Sequence, residues 1–239
     1  MTAISENTEH NTARSGIEEP PASFHTPDDR FRLLLAPSGW QSLPIAVRRR
    51  FSTPLAPGEP RLYRGHVRET VLSPLGRLIA NLARVAGSPL PLTHGSTGPA
   101  SVMVTDNPSL GGQVWTRIYA RPGQFPQVIH SAKRFAGSTG LEELLGPWRG
   151  FGLVMKLKLA VDHSALVFDS AGYALIIGNT RLALPAWLSP GRCRITHRAT
   201  GPDTFTFTLE LTHPWFGLLC RQDAEFADIP SARTQEFPK

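Results

Sequence analysis

From Phe151 to Leu211 the chain alternates apolar and polar residues almost without interruption, and only extended strands satisfy a period of two. Phe151, Leu153, Met155, Leu157, Leu159 and Val161 share one face. Further on, Cys193, Ile195 and His197 share a face opposite Arg192, Arg194 and Arg198. Phe205, Phe207, Leu209 and Leu211 then form an inner row, with Thr204, Thr206, Thr208 and Glu210 outside. Two-residue turns are expected at Asp162-His163, pairing Leu159 with Leu166 and Leu157 with Phe168, and at Gly178-Asn179, pairing Leu175 with Leu182 and Tyr173 with Leu184. Gly201-Pro202-Asp203 turns the chain again, and a last strand runs from about Leu218 to Ala227. Successive strands joined by tight turns make an antiparallel meander.

The first half is more mixed. The segment 40–51 (WQSLPIAVRRRF) predicts a short helix, capped by Ser42, with Pro44 in its first turn and a solvated run Arg48, Arg49, Arg50 at its carboxyl end. A strand is expected over 62–72. Pro74 to Ala86 predicts an amphipathic helix with the stripe Leu75, Leu78, Ile79, Leu82 and Val85, stopped by Gly87. Strands follow near 100–105, 112–121 and 125–135, and 140–146 (GLEELLG) predicts a short helix. The expected fold is mainly β (α+β): a curled antiparallel meander sheet or barrel of about nine to ten strands with one long amphipathic helix packed on it.

Composition sets the boundaries. Residues 1–28 are polar, acidic and aperiodic and read as a disordered tail; 29–229 read as one antiparallel β domain, and 230–239 as a loose C-terminal tail. The net charge of +6 hides an asymmetry: residues 1–29 carry −5, leaving +11 for the rest. A basic body points to anionic partners. Nucleic acid is not expected among them, because the arginines are scattered and stacking platforms are missing. No basic and apolar leader opens the chain, no apolar run is long enough to span a bilayer, and Cys193 and Cys220 do not form a disulfide framework, so a cytoplasmic location is expected.

Several strings carry a resemblance: VWTRIYARPGQFPQVIHSAKRF (114–135), GLEELLG (140–146), GFGLVMKLKL (150–159), LPAWLSPGRCRITH (184–197) and FTLELTHPWFGLLCRQDAEF (207–226). Over about residues 28–228 the chain resembles the bacterial domain of unknown function family numbered 4166. Relatives in such families stand alone or end Rossmann-type NAD(P)-dependent reductase chains, so the resemblance implies an accessory role beside a reductase. It also implies that His163 is a turn variant, since relatives read Asp-Gly where this chain has Asp162-His163.

The familiar catalytic signatures are absent: no nucleophile elbow, P-loop, zinc-protease helix, paired-cysteine motif or dinucleotide fingerprint occurs. Cys193 and His197 lie about 13 Å apart along a strand, too far to share one metal. No cofactor or metal is expected. His197 and His213 share the inner parity of their strands. A buried histidine is more often held by a backbone carbonyl than used in catalysis.

The N-terminal strands have no wholly apolar face. Glu69 shares the parity of Tyr63, Val67 and Val71; Trp115, Arg117 and Tyr119 share one face, as do Ile129, Ser131, Lys133 and Phe135. Such faces are either wet, which is common for antiparallel sheets, or line a polar cavity. In the second case Arg117, Tyr119, Trp115, Glu69, Lys133 and His213 become candidate ligand-binding residues, suited to a small anionic or amphiphilic molecule. Arg117 would stand between Trp115 and Tyr119, with Glu69 as its resting partner. The alternatives are an enzyme using His213 or Glu69 as acid/base, and a structural module docked through its arginine-rich outer face.

Overall fold

Alternation becomes pairing in the computed structural model, which describes residues 28–56, 58–87, 89–136, 140–146 and 150–230. The tails assigned to 1–28 and 230–239 lie almost wholly outside them. Asp28 lies within: its N–H donates to Ser52 O at 2.7 Å and its carboxylate holds Arg30.

One antiparallel sheet contains β1 (Arg61–Leu72), β2 (Gly98–Asn107), β3 (Gly112–Tyr119), β4 (Gln127–Ala136), β5 (Gly140–Leu145), β6 (Gly150–Asp162), β7 (Ala165–Gly178), β8 (Thr180–Leu184), β9 (Arg192–Ala199), β10 (Thr204–His213) and β11 (Gly217–Ile229). The order is β6-β5-β4-β3-β2-β1-β11-β10-β9-β7-β8, and a further β6–β7 pairing joins the ends. Ten strands therefore close into a barrel, with β8 as an extra strand outside the closure. β7 serves both because it is long: residues 166–169 pair with β9, and residues 173–177 pair with β8. Closure removes the unpaired backbone row that an open sheet exposes.

The β7–β8 hairpin has the expected register, Leu175 opposite Leu182 and Tyr173 opposite Leu184. The β6–β7 hairpin does not. Its turn residues are His163 and Ser164, both at positive φ (45° and 63°), so Leu159 meets Phe168 and Val161 meets Leu166. The slip is two residues in pairing, so every side chain keeps its expected face. The segment 140–146 is strand β5, not a helix: pairing with β4 on one side and β6 on the other overrides the helical spacing of its leucines.

The helix expected over 40–51 is two, α1 (Pro37–Ser42) and α2 (Ile45–Ser52), separated at Leu43-Pro44. Pro44, not Ser42, is the N-cap of α2, and the Ser42 hydroxyl donates back to Gly39 O at 2.8 Å. Nor is the arginine run wholly solvated. Arg50 is buried, paired with Asp228, and lies 4.3 Å over the Phe205 ring. Phe31 and Phe51 close this end of the barrel edge-to-face, with Phe31 also against Phe135 and Phe168.

The other end is covered by α3 (Pro74–Leu82), whose last turn tightens into a 3-10 turn at Ala83–Ala86 before Gly87 in the left-handed region. The helix is thus shorter than expected. The Ser73 hydroxyl accepts from Gly76 N at 3.0 Å as its cap. A Cβ on Gly76 would fall 1.8 Å from Leu219 O, so the helix rests directly on the backbone of β11. That close approach turns Gly76 and Ala80 inward and leaves Leu78 and Leu82 of the expected apolar stripe exposed.

Candidate functional site

Parity brings Trp115, Arg117 and Tyr119 of β3 and Ser131 and Lys133 of β4 to the inside of the barrel, which excludes a wet face there. β5 adds Glu143 directly opposite Lys133. Glu143 is the centre of a buried polar cluster. One carboxylate oxygen accepts from Lys133 Nζ at 3.0 Å; the other accepts from Ser131 Oγ at 2.7 Å and from Arg117 Nη2 at 3.4 Å. Arg117 Nη1 also donates to Ser131 Oγ at 2.9 Å. The cations lie against aromatic faces: Lys133 Nζ is 4.9 Å from the Trp115 ring centre and 5.5 Å from Phe168, and Arg117 is 5.8 Å from Trp115.

Arg117, Lys133 and Glu143 are 8%, 3% and 3% exposed, so two cations share one carboxylate in a medium that screens charge poorly. Burial alone would raise the Glu143 carboxyl. Lys133 and Arg117, helped by Ser131, outweigh it and hold the group down at about 2. For Lys133, burial lowers the ammonium pKa; Glu143 opposes this, and Arg117 adds to it.

Between this cluster and α3 lies a cavity of about 100 Å³. Leu145, Leu153, Met155, Phe207, Leu209 and Leu211 form most of its wall, and Arg117 and Glu143 supply charged groups in it. Ile79, Ala83, residues 89–91 and Pro190 frame its mouth. Phe207 is only half-buried because it borders this space. Burial raises the Tyr119 and Tyr173 phenols, and burial, with Glu143 next, pushes the Cys193 thiol up to about 12. A second, smaller chamber of about 20 Å³ lies on the other side of Arg117, walled by Tyr63, Trp115, His197, Phe205 and Phe226. Arg117, Tyr119 and Phe207 border both spaces. Among the described residues, the buried Trp115 indole N–H finds no acceptor.

A family model described as a domain of unknown function, DUF4166, matches residues 43–226. The chain belongs to this family. No curated protein matches it. Among solved structures, the crystal structure of Rv2717c from M. tuberculosis is similar to this DUF4166 chain at a TM-score of 0.43 and 12% identity, covering 79% of this chain and 99% of that one.

Four of the six candidate ligand-binding residues, Trp115, Arg117, Tyr119 and Lys133, converge in the interior. Glu69 does not. A β-bulge between Val67 and Glu69 reverses the parity, so Thr70 and Leu72 turn inward and Glu69 faces solvent. Arg117 consequently rests on Glu143 rather than on Glu69. Nor is Arg117 held between Trp115 and Tyr119, since among the described residues Trp115 alone offers it a face. His213 is buried at the end of β10, where its Nδ1 accepts from Trp215 N at 3.2 Å and its ring packs on Trp215 and Phe216, outside the cavity wall. Neither Glu69 nor His213 can act as acid or base in the cavity. His197 is buried against Arg50; burial, then the adjacent guanidinium, hold its pKa well below the ordinary value.

Glu143 and Ser131 are the site residues that strand reasoning missed. No period-two signal marked Glu143, because Leu141, Leu144 and Leu145 stand at the i, i+3, i+4 spacing of a helix; the two flanking glycines, a strand's length apart, were the one hint. Among the described residues, no group of three or more His, Cys, Asp or Glu side chains is placed to hold a metal, and no helix is long and apolar enough to cross a membrane.

Proposed function

We propose that the DUF4166 barrel binds a small amphiphilic anion in its interior without chemically altering it. The observation that carries this reading is the imbalance of the buried cluster, two cations to one carboxylate, of which Arg117 and Glu143 reach the wall of a largely apolar cavity while Lys133 stands behind Glu143. An anionic head group at Arg117 would restore neutrality, and the leucine and methionine wall would take the apolar part. The volume, about 100 Å³, sits below the ~150 Å³ of an engineered cavity that takes up benzene. A short alkyl carboxylate therefore suits it, while an aryl carboxylate or a longer chain would emerge through the mouth beside α3. Among the groups that line the cavity, the pKa directions favour binding over acid/base work: Glu143 is held far below neutrality, and Tyr119, Tyr173 and Cys193 are pushed well above it, while Lys133, whose pKa is lowered, lies behind Glu143 and outside the lining. The family resemblance supports reading this binding role as accessory to a separate NAD(P)-dependent reductase.

The test is a thermal-shift screen against alkyl and aryl carboxylates, acyl thioesters and phosphorylated metabolites, with native mass spectrometry of freshly purified protein. A ligand at a hundred times its Kd stabilises by about 2.7 kcal/mol. Arg117→Met should abolish the shift while leaving the barrel folded, because Glu143 keeps Lys133 and Ser131 as partners. A wild-type protein indifferent to every anion would end the binding hypothesis.

A further inference from the structure

The two ends of the barrel differ in chemistry, and their connecting segments carry the difference. In an antiparallel barrel every second connection returns to the same end. Among the described residues, 73–87, 89–97, 120–126, 178–179, 185–191 and 214–216 gather at the end where the cavity opens. Ile79, Pro91, Tyr119 and Pro190 from or beside them line the cavity, and Gly191 packs on the backbone of Thr212. None of these segments contains an Asp or Glu; they contain Arg77, Arg84 and Arg121. The opposite end carries Asp28, Asp29, Asp106, Asp162, Asp203 and Asp228.

The mouth end is also where large apolar side chains meet solvent. Leu78 and Leu82 of α3, Phe125, Trp187, Trp215 and Phe216 are each more than half exposed. They stand on separate hairpin tips and one helix face, not on a continuous flat patch.

We propose that this end docks on the surface of an anionic lipid bilayer. Tryptophan and phenylalanine would enter the interfacial layer, where an apolar body meets a polar boundary, and the arginines would face lipid phosphates. A fluid interface accommodates side chains projecting singly from several loops, whereas a rigid protein partner must match their relief. A second copy fits poorly, because a two-fold interface would set two acid-free, arginine-bearing surfaces face to face. Docked this way, the cavity mouth faces the bilayer. The inference rests on the exterior and is independent of what the cavity holds.

The test is flotation of the full chain with phosphatidylcholine vesicles, with and without phosphatidylglycerol. Binding is expected to the anionic vesicles alone and to weaken as salt is raised. The double variant R77Q/R84Q should bind about thirtyfold more weakly. The double variant W187S/W215S should lose binding while the melting temperature falls only slightly, because both side chains are about two-thirds exposed and Trp215 gives up one edge contact, with His213. Wild-type protein that ignores anionic vesicles overturns the proposal, as does binding that both variants retain. Self-association in solution that W187S/W215S abolishes overturns it in favour of an interface between copies.

Discussion

Replacing Glu143 with Gln isolates the electrostatics of the buried cluster. The side chain keeps its volume and its amide oxygen can still accept from Ser131, so no new cavity enters the comparison. What is lost is the one negative charge between Lys133 and Arg117. A carboxyl at 4.5 in the unfolded chain and about 2 in the barrel contributes about 3 kcal/mol of stability at neutral pH. Removing one member of a buried ion pair costs ~3–5 kcal/mol in other proteins, which agrees. The folded pKa is depressed, so this contribution is complete above the unfolded value of 4.5 and is lost as pH falls toward 2. Urea unfolding followed by circular dichroism and tryptophan fluorescence at neutral pH should show the midpoint fall with the slope unchanged. Repeated between pH 5 and pH 2, the variant should lose less stability than wild type on acidification. It keeps some acid sensitivity, because Arg181 and Arg134 hold the Glu142 carboxyl down against its own burial. Adding Lys133→Met should recover part of the loss, since Arg117 then has no second cation beside it. A cost of Glu143→Gln below about 1 kcal/mol at neutral pH, or an acid profile identical to wild type, would refute the reasoning.

Other outcomes follow from the packing. Phe205→Ala should cost ~3–5 kcal/mol by urea unfolding and exceed Phe207→Ala, because Phe205 is buried between Tyr63, Phe226 and Arg50 and borders the small chamber alone, whereas Phe207 is half-buried and borders the larger cavity as well. Equal costs would mean that the cavity is filled or collapsed. Gly76→Ala should destabilise the barrel and loosen α3, seen as faster amide exchange over residues 74–82, because its Cβ has no room above Leu219 O; unchanged exchange would show the helix sitting further out. His163→Asn with Ser164→Gly should raise stability by about 0.5–1 kcal/mol, since both turn residues hold positive φ that Asn-Gly adopts readily. A fall in the urea midpoint would contradict that turn geometry.

The sequence by itself determined the elements whose evidence is local. Period-two alternation identified the inner rows of β9 and β10, and Gly178-Asn179 set the β7–β8 register, because a side chain's face and a turn's backbone preference depend on adjacent residues alone. It also marked Arg117, Tyr119, Trp115 and Lys133 as polar residues on faces that could turn inward, but could not choose between water and cavity, since that choice is made by closure between β6 and β7. Tertiary structure decided the partnerships. The bulge after Val67 expelled Glu69, a displacement that arises from pairing with β11 some 150 residues away. Glu143 reached Arg117 and Lys133 only because β5 completes a sheet between β4 and β6, which overrode the helical preference of a Leu- and Glu-rich segment. Arg50 became a buried partner of Asp228 for the same reason: burial of a charge depends on what the rest of the chain brings to it.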